Sequence, residues 1–415
     1  MKRILGILSV AWLITTSFVM ANPVHKTMIV NGIEREYLVY APTLDPSEKA
    51  IGMMVCLHGF GRSMNDFFDV YDVSDIAESL KMLIVAPQAL PEQDPHVLEE
   101  AEFIGTAIGN PLLLNSVWGC GLRINATLPL LGMTMLDEEL NKEVDDVHFI
   151  DQMINEVISD YSLPAENIFV IGTSMGGFMT YQYAVKNGER LSGIISIAGS
   201  MGLNIQGLDG ATKIPVCDFH SITDEVVPYT GSYQQFVIIG NVDIALAKPK
   251  EEVINYWRET NATGAPITEQ IEYYTPTNDI TVEKITYPDP VNEVIHYKIN
   301  GAPHSYFFKK ENGDCMDHVE EITQFIESHL SGDTYNTQFF TDQQAFFYPN
   351  PVVDRVKFNA LSGVFTIYDM TGRSLLTQSF LNGQADLSGL KSGMYIIRVQ
   401  TGNTFYTGKL IKRDG

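Results

Sequence analysis

The stretch Ile168-Phe169-Val170-Ile171-Gly172-Thr173-Ser174-Met175-Gly176-Gly177 decides the reading of this chain. Its four leading apolar residues predict a buried strand, and the pattern from Met175 to Lys186 predicts a helix. Between them sits Gly-x-Ser-x-Gly. The glycines permit a turn so cramped that neighbouring Cβ atoms would clash. That turn lifts the Ser174 hydroxyl clear of the sheet and sets it at a helix N-terminus, where the dipole favours developing negative charge. The bare pattern recurs by chance in unrelated chains. A strand before it and a helix after it supply the context that a nucleophile elbow requires.

The same alternation extends outward. Lys26–Val30, Asn31-Gly32 and Glu36–Tyr40 read as a hairpin with a type I′ turn. Gly52–Leu57, Met82–Pro87, Gly193–Ala198, Val216–His220 and Val294–Ile299 read as further strands. Val73–Lys81, Val147–Asp160 and Asp317–Leu330 read as helices. Uninterrupted apolar strands between helices predict an α/β fold, a mostly parallel central sheet with helices on both faces.

A serine alcohol needs a base, and this fold orders its parts as serine, acid, histidine. His304, in Gly301-Ala302-Pro303-His304-Ser305, follows the last strand and is the expected base. His318 and His329 fall on the closing helix, and His296 falls inside a strand. Asp224 follows Val216–His220 and is the expected acid, with Glu225 as its rival. Asp218 points the wrong way along its strand. In these roles His304 takes the Ser174 proton, and Asp224 fixes its tautomer. The oxyanion would be held by the amides of Met175 and Phe60, with Gly59 as the second choice in the loop Leu57-His58-Gly59-Phe60-Gly61. His58 is expected to hold that loop by hydrogen bonds.

The segment Leu90–Glu143 is long for a connection, and long loops near a site are usually functional or mobile. Trp118 within it is the candidate substrate-binding residue, stacking on an aromatic or sugar group; filling the core is the equal alternative. Leu112–Leu114 and Leu128–Leu131 read either as an apolar lid or as packing for two short helices. Asp145 and Asp146 read as helix starters, His148 as an ordinary helix residue and Trp257 as packing.

The chain has 415 residues, with 27 Lys+Arg against 51 Asp+Glu and a net charge of −24. A balance this acidic argues against nucleic acid as a partner. The charge divides unevenly: +2 over residues 1–21 and +4 over 345–415, which leaves −30 between them. Met1-Lys2-Arg3, the apolar run Ile4–Val19 and Val19-Met20-Ala21 read as a cleavable export signal over residues 1–21. A membrane anchor would need about 20 apolar residues, and this run is shorter. No later stretch is apolar enough to span a bilayer. Four cysteines are too few for a disulfide scaffold, and none has zinc-site spacing. Cys56 and Cys217 read as buried thiols, while Cys120 and Cys315 sit in loops and are the one pair that could join. At the other end, short runs such as Val364–Tyr368, Met394–Gln400 and Thr404–Ile411, separated by turn residues, predict a small all-β sandwich.

Two resemblances add to these readings. Val55-Cys56-Leu57-His58-Gly59-Phe60-Gly61, Val144-Asp145-Asp146-Val147, the elbow, His220-Ser221-Ile222-Thr223-Asp224-Glu225-Val226-Val227-Pro228-Tyr229 and Ala302-Pro303-His304 together resemble the polyhydroxybutyrate depolymerase and feruloyl-esterase-like branch of the α/β-hydrolases. The likeness spans about residues 30–330 and implies a secreted carboxylic-ester hydrolase without a cofactor. Its expected partner is an ester substrate, feruloyl or acetyl on a plant polysaccharide or a polyester. Leu90–Glu143 has no counterpart in that branch.

Phe347-Tyr348-Pro349-Asn350-Pro351-Val352, Ile367-Tyr368-Asp369-Met370-Thr371-Gly372, Leu390-Lys391-Ser392-Gly393-Met394-Tyr395 and Lys409-Leu410-Ile411-Lys412 resemble the C-terminal sorting domain of the type IX secretion system of Bacteroidota. This implies export through the outer membrane, to the medium or the cell surface. A carbohydrate-binding module is the alternative, but the tail has no Trp. The expected layout is a signal over 1–21, an α/β-hydrolase domain over 22–335 with its cleft segment at 90–144, a linker over 336–344 and a sorting domain over 345–415. A serine peptidase on the same fold, or a surface binding protein that lost catalysis, are the alternative functions.

Overall fold

In the computed structural model the described residues are 23–413, apart from 46–47, 72, 109–113, 129–132, 206, 232–233, 238–240, 245–246, 272, 275, 332–335, 340–346, 359–361, 370–373 and 402–403. The export signal read over residues 1–21 lies outside them, as do residues 340–344 of the expected linker.

The main sheet has ten strands in the order Val24–Val30, Ile33–Tyr40, Leu83–Pro87, Met53–Leu57, Ile168–Thr173, Gly193–Ile197, Val216–Ser221, Val294–Asn300, Thr281–Tyr287 and Ile267–Ile271. Its central six run parallel, and two antiparallel strands finish each edge. Alternate side chains feed two cores. Met53, Val55, Val170 and Ile194 pack with Phe149, Phe178 and Trp257 from the helices Asp146–Tyr161, Met175–Asn187 and Lys250–Asn261. Met54, Cys56, Ile171 and Phe219 pack on the other face with Ile76, Ile322 and Phe325 from Ser74–Leu80 and His318–Ser328. This is the α/β-hydrolase fold, and covering both faces is why the inner strands carry no polar alternation. The first hairpin turns through Asn31 and Gly32, both with positive φ, as the type I′ turn requires.

The segment after Leu90 differs from the two short helices considered for it. It forms one helix, Pro95–Ile108, and a hairpin, Arg123–Leu128 with Met133–Glu139. A second hairpin, Gln234–Val237 with Asn241–Ile244, pairs with the first to make a four-stranded antiparallel sheet. Most of the leucines read as a lid fall outside the described residues.

The C-terminal strands form one eight-stranded sheet around Phe347, Val352, Val356, Phe365, Ile367, Phe380, Ile397, Val399 and Leu410. Val352 bridges to Lys412, so the expected sandwich takes the form of one sheet curled on itself. Asn336–Phe339, placed in the linker, is a strand parallel to Thr404–Lys412. All four cysteines are buried. Cys120 and Cys315 do not pair, because they belong to the cores on opposite faces of the main sheet. No helix among the described residues is long and apolar enough to cross a membrane.

Backbone closeness fixes the elbow. A Cβ on Gly176 would sit 1.8 Å from the Leu57 carbonyl oxygen, and one on Gly172 would sit 2.1 Å from the Gly176 oxygen. Gly210, by contrast, has nothing within 4 Å of a Cβ. Gly176→Ala is therefore expected to destabilise on the order of 3 kcal/mol and Gly210→Ala by less than about 0.5 kcal/mol. Thermal unfolding of the two variants compares them, and equal melting temperatures would remove the steric explanation.

Candidate active site

Ser174 follows the strand Ile168–Thr173 directly and takes φ 52° and ψ −121°. Side chains other than glycine avoid this region at a cost of about 1–3 kcal/mol, so the surroundings must impose it. They do so through the backbone. The Ser174 N–H donates to the Ile197 carbonyl at 2.8 Å, and the Gly177 N–H donates to the Ser174 carbonyl at 2.9 Å. The helix Met175–Asn187 starts at the next residue, so the hydroxyl stands at its N-terminal end.

His304 reaches this hydroxyl from the loop after Val294–Asn300, where Gly301 and Ser305 turn the chain with positive φ. Its Nε2 lies 2.8 Å from Ser174 Oγ and its Nδ1 lies 2.7 Å from Asp224 Oδ2. Nδ1 donates to the carboxylate, which leaves the Nε2 lone pair facing the hydroxyl. Asp224 is buried, and its other oxygen accepts from the Val226 and Val227 amides, both at 2.8 Å. Burial would push its carboxyl up. The hydrogen bond and charge of His304, with His220 and the Val227 amide, hold it below the usual carboxylate range. Glu225 is exposed and makes no such contact. Asp218 is buried elsewhere, bonded to Lys250 Nζ at 2.7 Å, His296 Nδ1 at 2.8 Å and the Tyr181 hydroxyl at 2.7 Å.

The loop after Met53–Leu57 lies against the serine: a Cβ on Gly59 would be 3.4 Å from Ser174 Cβ. His58 ties this loop down, as expected. Its Nε2 accepts from the Ala89 amide at 3.1 Å, so the proton sits on Nδ1, which donates to the Gly59 carbonyl at 2.8 Å. Burial lowers its pKa to about 4, which keeps it neutral. The Gly61 amide donates to the Ser116 carbonyl at 2.9 Å. No hydrogen bond among the described residues occupies the Gly59, Phe60 or Met175 amide. Those N–H groups are therefore available to a further acceptor.

Trp118 needs a correction. It was a candidate for stacking on substrate, yet it is fully buried. Its Nε1 donates to the His58 carbonyl at 2.9 Å, and its ring centroid lies 4.9 Å from that of His58. It braces the loop Leu57–Gly61, because a buried indole N–H seeks an acceptor.

Sequence reasoning also missed what anchors the long segment. Asp145 and Asp146 do start the helix Asp146–Tyr161: Asp145 caps it, accepting from the His148 amide at 3.0 Å, and Asp146 is its first residue. Asp146 is buried, paired with Arg35 at 2.6 Å and accepting from the Gly119 amide at 2.7 Å. The signal was present. Arg35 alternates with Tyr37 and Val39 on the inward side of its strand, where a charge requires a partner. Glu92 and Asn141 close the base of the segment: Glu92 accepts the Asn141 amide at 2.8 Å, and the Asn141 side chain donates to the Val117 carbonyl at 2.8 Å.

Residues 133–239, which include Ser174 and Asp224, match the Phospholipase/Carboxylesterase family model. Residues 346–413 match the Secretion system C-terminal sorting domain, which marks the chain for export to the cell surface or beyond. Among curated proteins, the Probable feruloyl esterase C of Aspergillus niger is 28% identical over 128 residues, 30% of this chain and 46% of that protein. The protein of the same name from Aspergillus terreus is 23% identical over 241 residues, 56% of this chain and 73% of that one. The chain thus spans less than half the length of the first relative. A solved acetyl xylan esterase from Aspergillus awamori superposes with a TM-score of 0.45 at 13% identity, over 73% of this chain and 98% of that one.

A hydroxyl held against a carboxylate-backed imidazole is expected to react with a fluorophosphonate. Peptide mapping should place the adduct on Ser174. Labelling should be absent in Ser174→Ala and slowed at least about 100-fold in His304→Ala. An adduct on another residue would break the link between this geometry and reactivity.

Proposed function

We propose that this protein is a secreted serine esterase acting through an acyl-enzyme. The observation that carries the reading is the unbroken chain Ser174 Oγ–His304–Asp224, with the Phe60 and Met175 amides unoccupied by any hydrogen bond among the described residues. In this mechanism Ser174 Oγ attacks the ester carbonyl carbon while His304 Nε2 takes its proton. The carbonyl π electrons move to oxygen, and the Met175 and Phe60 amides receive that charge. Each such donor contributes on the order of 3 kcal/mol to lowering the barrier. The intermediate collapses, the ester C–O bond breaks, and His304 hands its proton to the leaving alcohol. Water then attacks the acyl-enzyme with His304 again as base, releasing the acid and restoring Ser174. Asp224 stays ionised throughout and stabilises the imidazolium.

The substrate we infer is a feruloyl or acetyl ester of a plant polysaccharide, or a polyester such as polyhydroxybutyrate. Two observations support that class. The curated relatives carry a feruloyl esterase name. Exposed apolar side chains also stand at both ends of the constellation: Phe60 on the oxyanion loop, and Ile222 and Val226 on the acid turn. A bulky acyl or aryl group would cover them. The C-terminal domain is the part we propose the type IX secretion machinery reads, which would deliver the enzyme to polymers too large to enter the cell.

The test is a panel of p-nitrophenyl acetate, hydroxycinnamate methyl esters, acetylated xylan, polyhydroxybutyrate suspension and a peptide anilide. Ester hydrolysis is expected to exceed amide hydrolysis and to fall at least about 10⁴-fold in folded Ser174→Ala. Turnover retained by that variant would sink the reading, and a preference for the anilide would move it to a peptidase.

A further inference from the structure

Asp224 is flanked by a second imidazole that the proposed mechanism does not use. His220 lies in the strand Val216–Ser221, four residues earlier, and is 1% exposed. Its Nε2 is 3.7 Å from Asp224 Oδ2. That nitrogen lies 2.8 Å from the Val227 carbonyl oxygen, and Nδ1 lies 3.0 Å from that of Gly199. Val227 is the residue whose amide donates to Asp224 Oδ1. Gly199 backs the elbow helix so closely that a Cβ on Gly177 would be 2.8 Å from Gly199 Cα. One buried ring therefore bridges the turn that carries the acid and the turn behind the nucleophile.

The ring's tautomer follows from its neighbours. The charged and titratable groups facing it are Asp224 on its own turn, Asp218 on its own strand, Lys250 from the helix Lys250–Asn261, and the ring of Tyr229, edge-on at 5.8 Å. Burial, followed by the Lys250 charge, lowers the His220 pKa to about 4, so the ring is neutral above that pH and has one N–H. Lys250 Nζ already donates to the Gly199 carbonyl at 2.6 Å. The closer contact, 2.8 Å from Nε2 to the Val227 carbonyl against 3.0 Å from Nδ1 to that of Gly199, places the single N–H of His220 on Nε2, donating to Val227.

We propose that His220 is a positioning residue for Asp224: its Nε2–H bond to the Val227 carbonyl fixes the turn whose amides hold the carboxylate in line with His304. It touches no substrate and acts only through Asp224, and the role rests on the serine-esterase reading above. Groups of this kind, one step removed from the reacting atoms, typically change activity by about 10–100-fold when lost.

Three variants test this. Glutamine can place an amide nitrogen near the Nε2 position, asparagine only near that of Nδ1. His220→Ala and His220→Asn are expected to lower kcat on p-nitrophenyl acetate about 10–100-fold with KM within about 3-fold. They should also move the acid limb of kcat/KM downward, because a loosened carboxylate stabilises the imidazolium less. His220→Gln should recover most of both. Active-site titration with a fluorophosphonate corrects every rate for folded enzyme, so simple destabilisation cannot mimic the result. Rates per folded site and acid limbs matching wild type in all variants would overturn the role, as would rescue by Asn but not Gln. In those outcomes wild type still hydrolyses the ester and the esterase reading stands. Wild type inert to both ester and fluorophosphonate would instead overturn that reading and this role with it.

Discussion

Backbone packed against backbone, closer than any side chain allows, is the constraint on which this structure depends. Gly172, Gly176 and Gly177 let the start of one helix press onto the carbonyls of Leu57 and His58 and onto Gly199. That pressure forces Ser174 into its positive φ and leaves its hydroxyl at a helix end. It also brings Gly59 against the same residue, where a Cβ would be 3.4 Å from Ser174 Cβ. The strain at Ser174 is affordable because it is anchored to the middle of a sheet whose neighbouring strands are wholly buried.

The remaining parts of the site arrive from far along the chain, and each is fastened by polar contacts at the carboxyl edge of that sheet. His58, Trp118 and Ser116 fasten the loop after Leu57, while the Val226 and Val227 amides fasten Asp224. Beneath the acid turn lies a buried ion pair, Asp218 with Lys250, and His296 Nδ1 lies 2.8 Å from the same carboxylate. Burying a carboxylate and an ammonium is costly unless both are paired and their remaining hydrogen bonds are met. Here Tyr181 and the Gly199 carbonyl meet them.

Much of this was legible in the residues because two periodicities and one steric rule carry it. Apolar runs such as Met53–Leu57 marked the parallel strands, and Gly-x-Ser-x-Gly marked the elbow. Chain order then selected Asp224 and His304, and the structure brings both to Ser174. The edge strand Ile267–Ile271 escaped because it is exposed along most of its length and has no apolar pattern to read. The four-stranded sheet escaped because its hairpins come from segments about 100 residues apart, and pairing over that distance leaves no local signal. Trp118 misled for a different reason. An indole that braces a loop and an indole that stacks on a ligand look alike in sequence, and only burial separates them.

The four buried cysteines have a consequence for how the chain matures. Burial pushes the Cys56 and Cys217 thiols well above their ordinary pKa, so in the folded state they present almost no thiolate. Once native, these two thiols are shielded whether the surroundings are oxidising or reducing. The exposed interval comes earlier, when an exported chain is unfolded in an oxidising compartment and Cys56, Cys120, Cys217 and Cys315 are all accessible. A crosslink from Cys120 to any of the other three would tie residues that the finished sheet holds on opposite faces. Maturation is thus a race in which burial of the cysteines must outpace their oxidation.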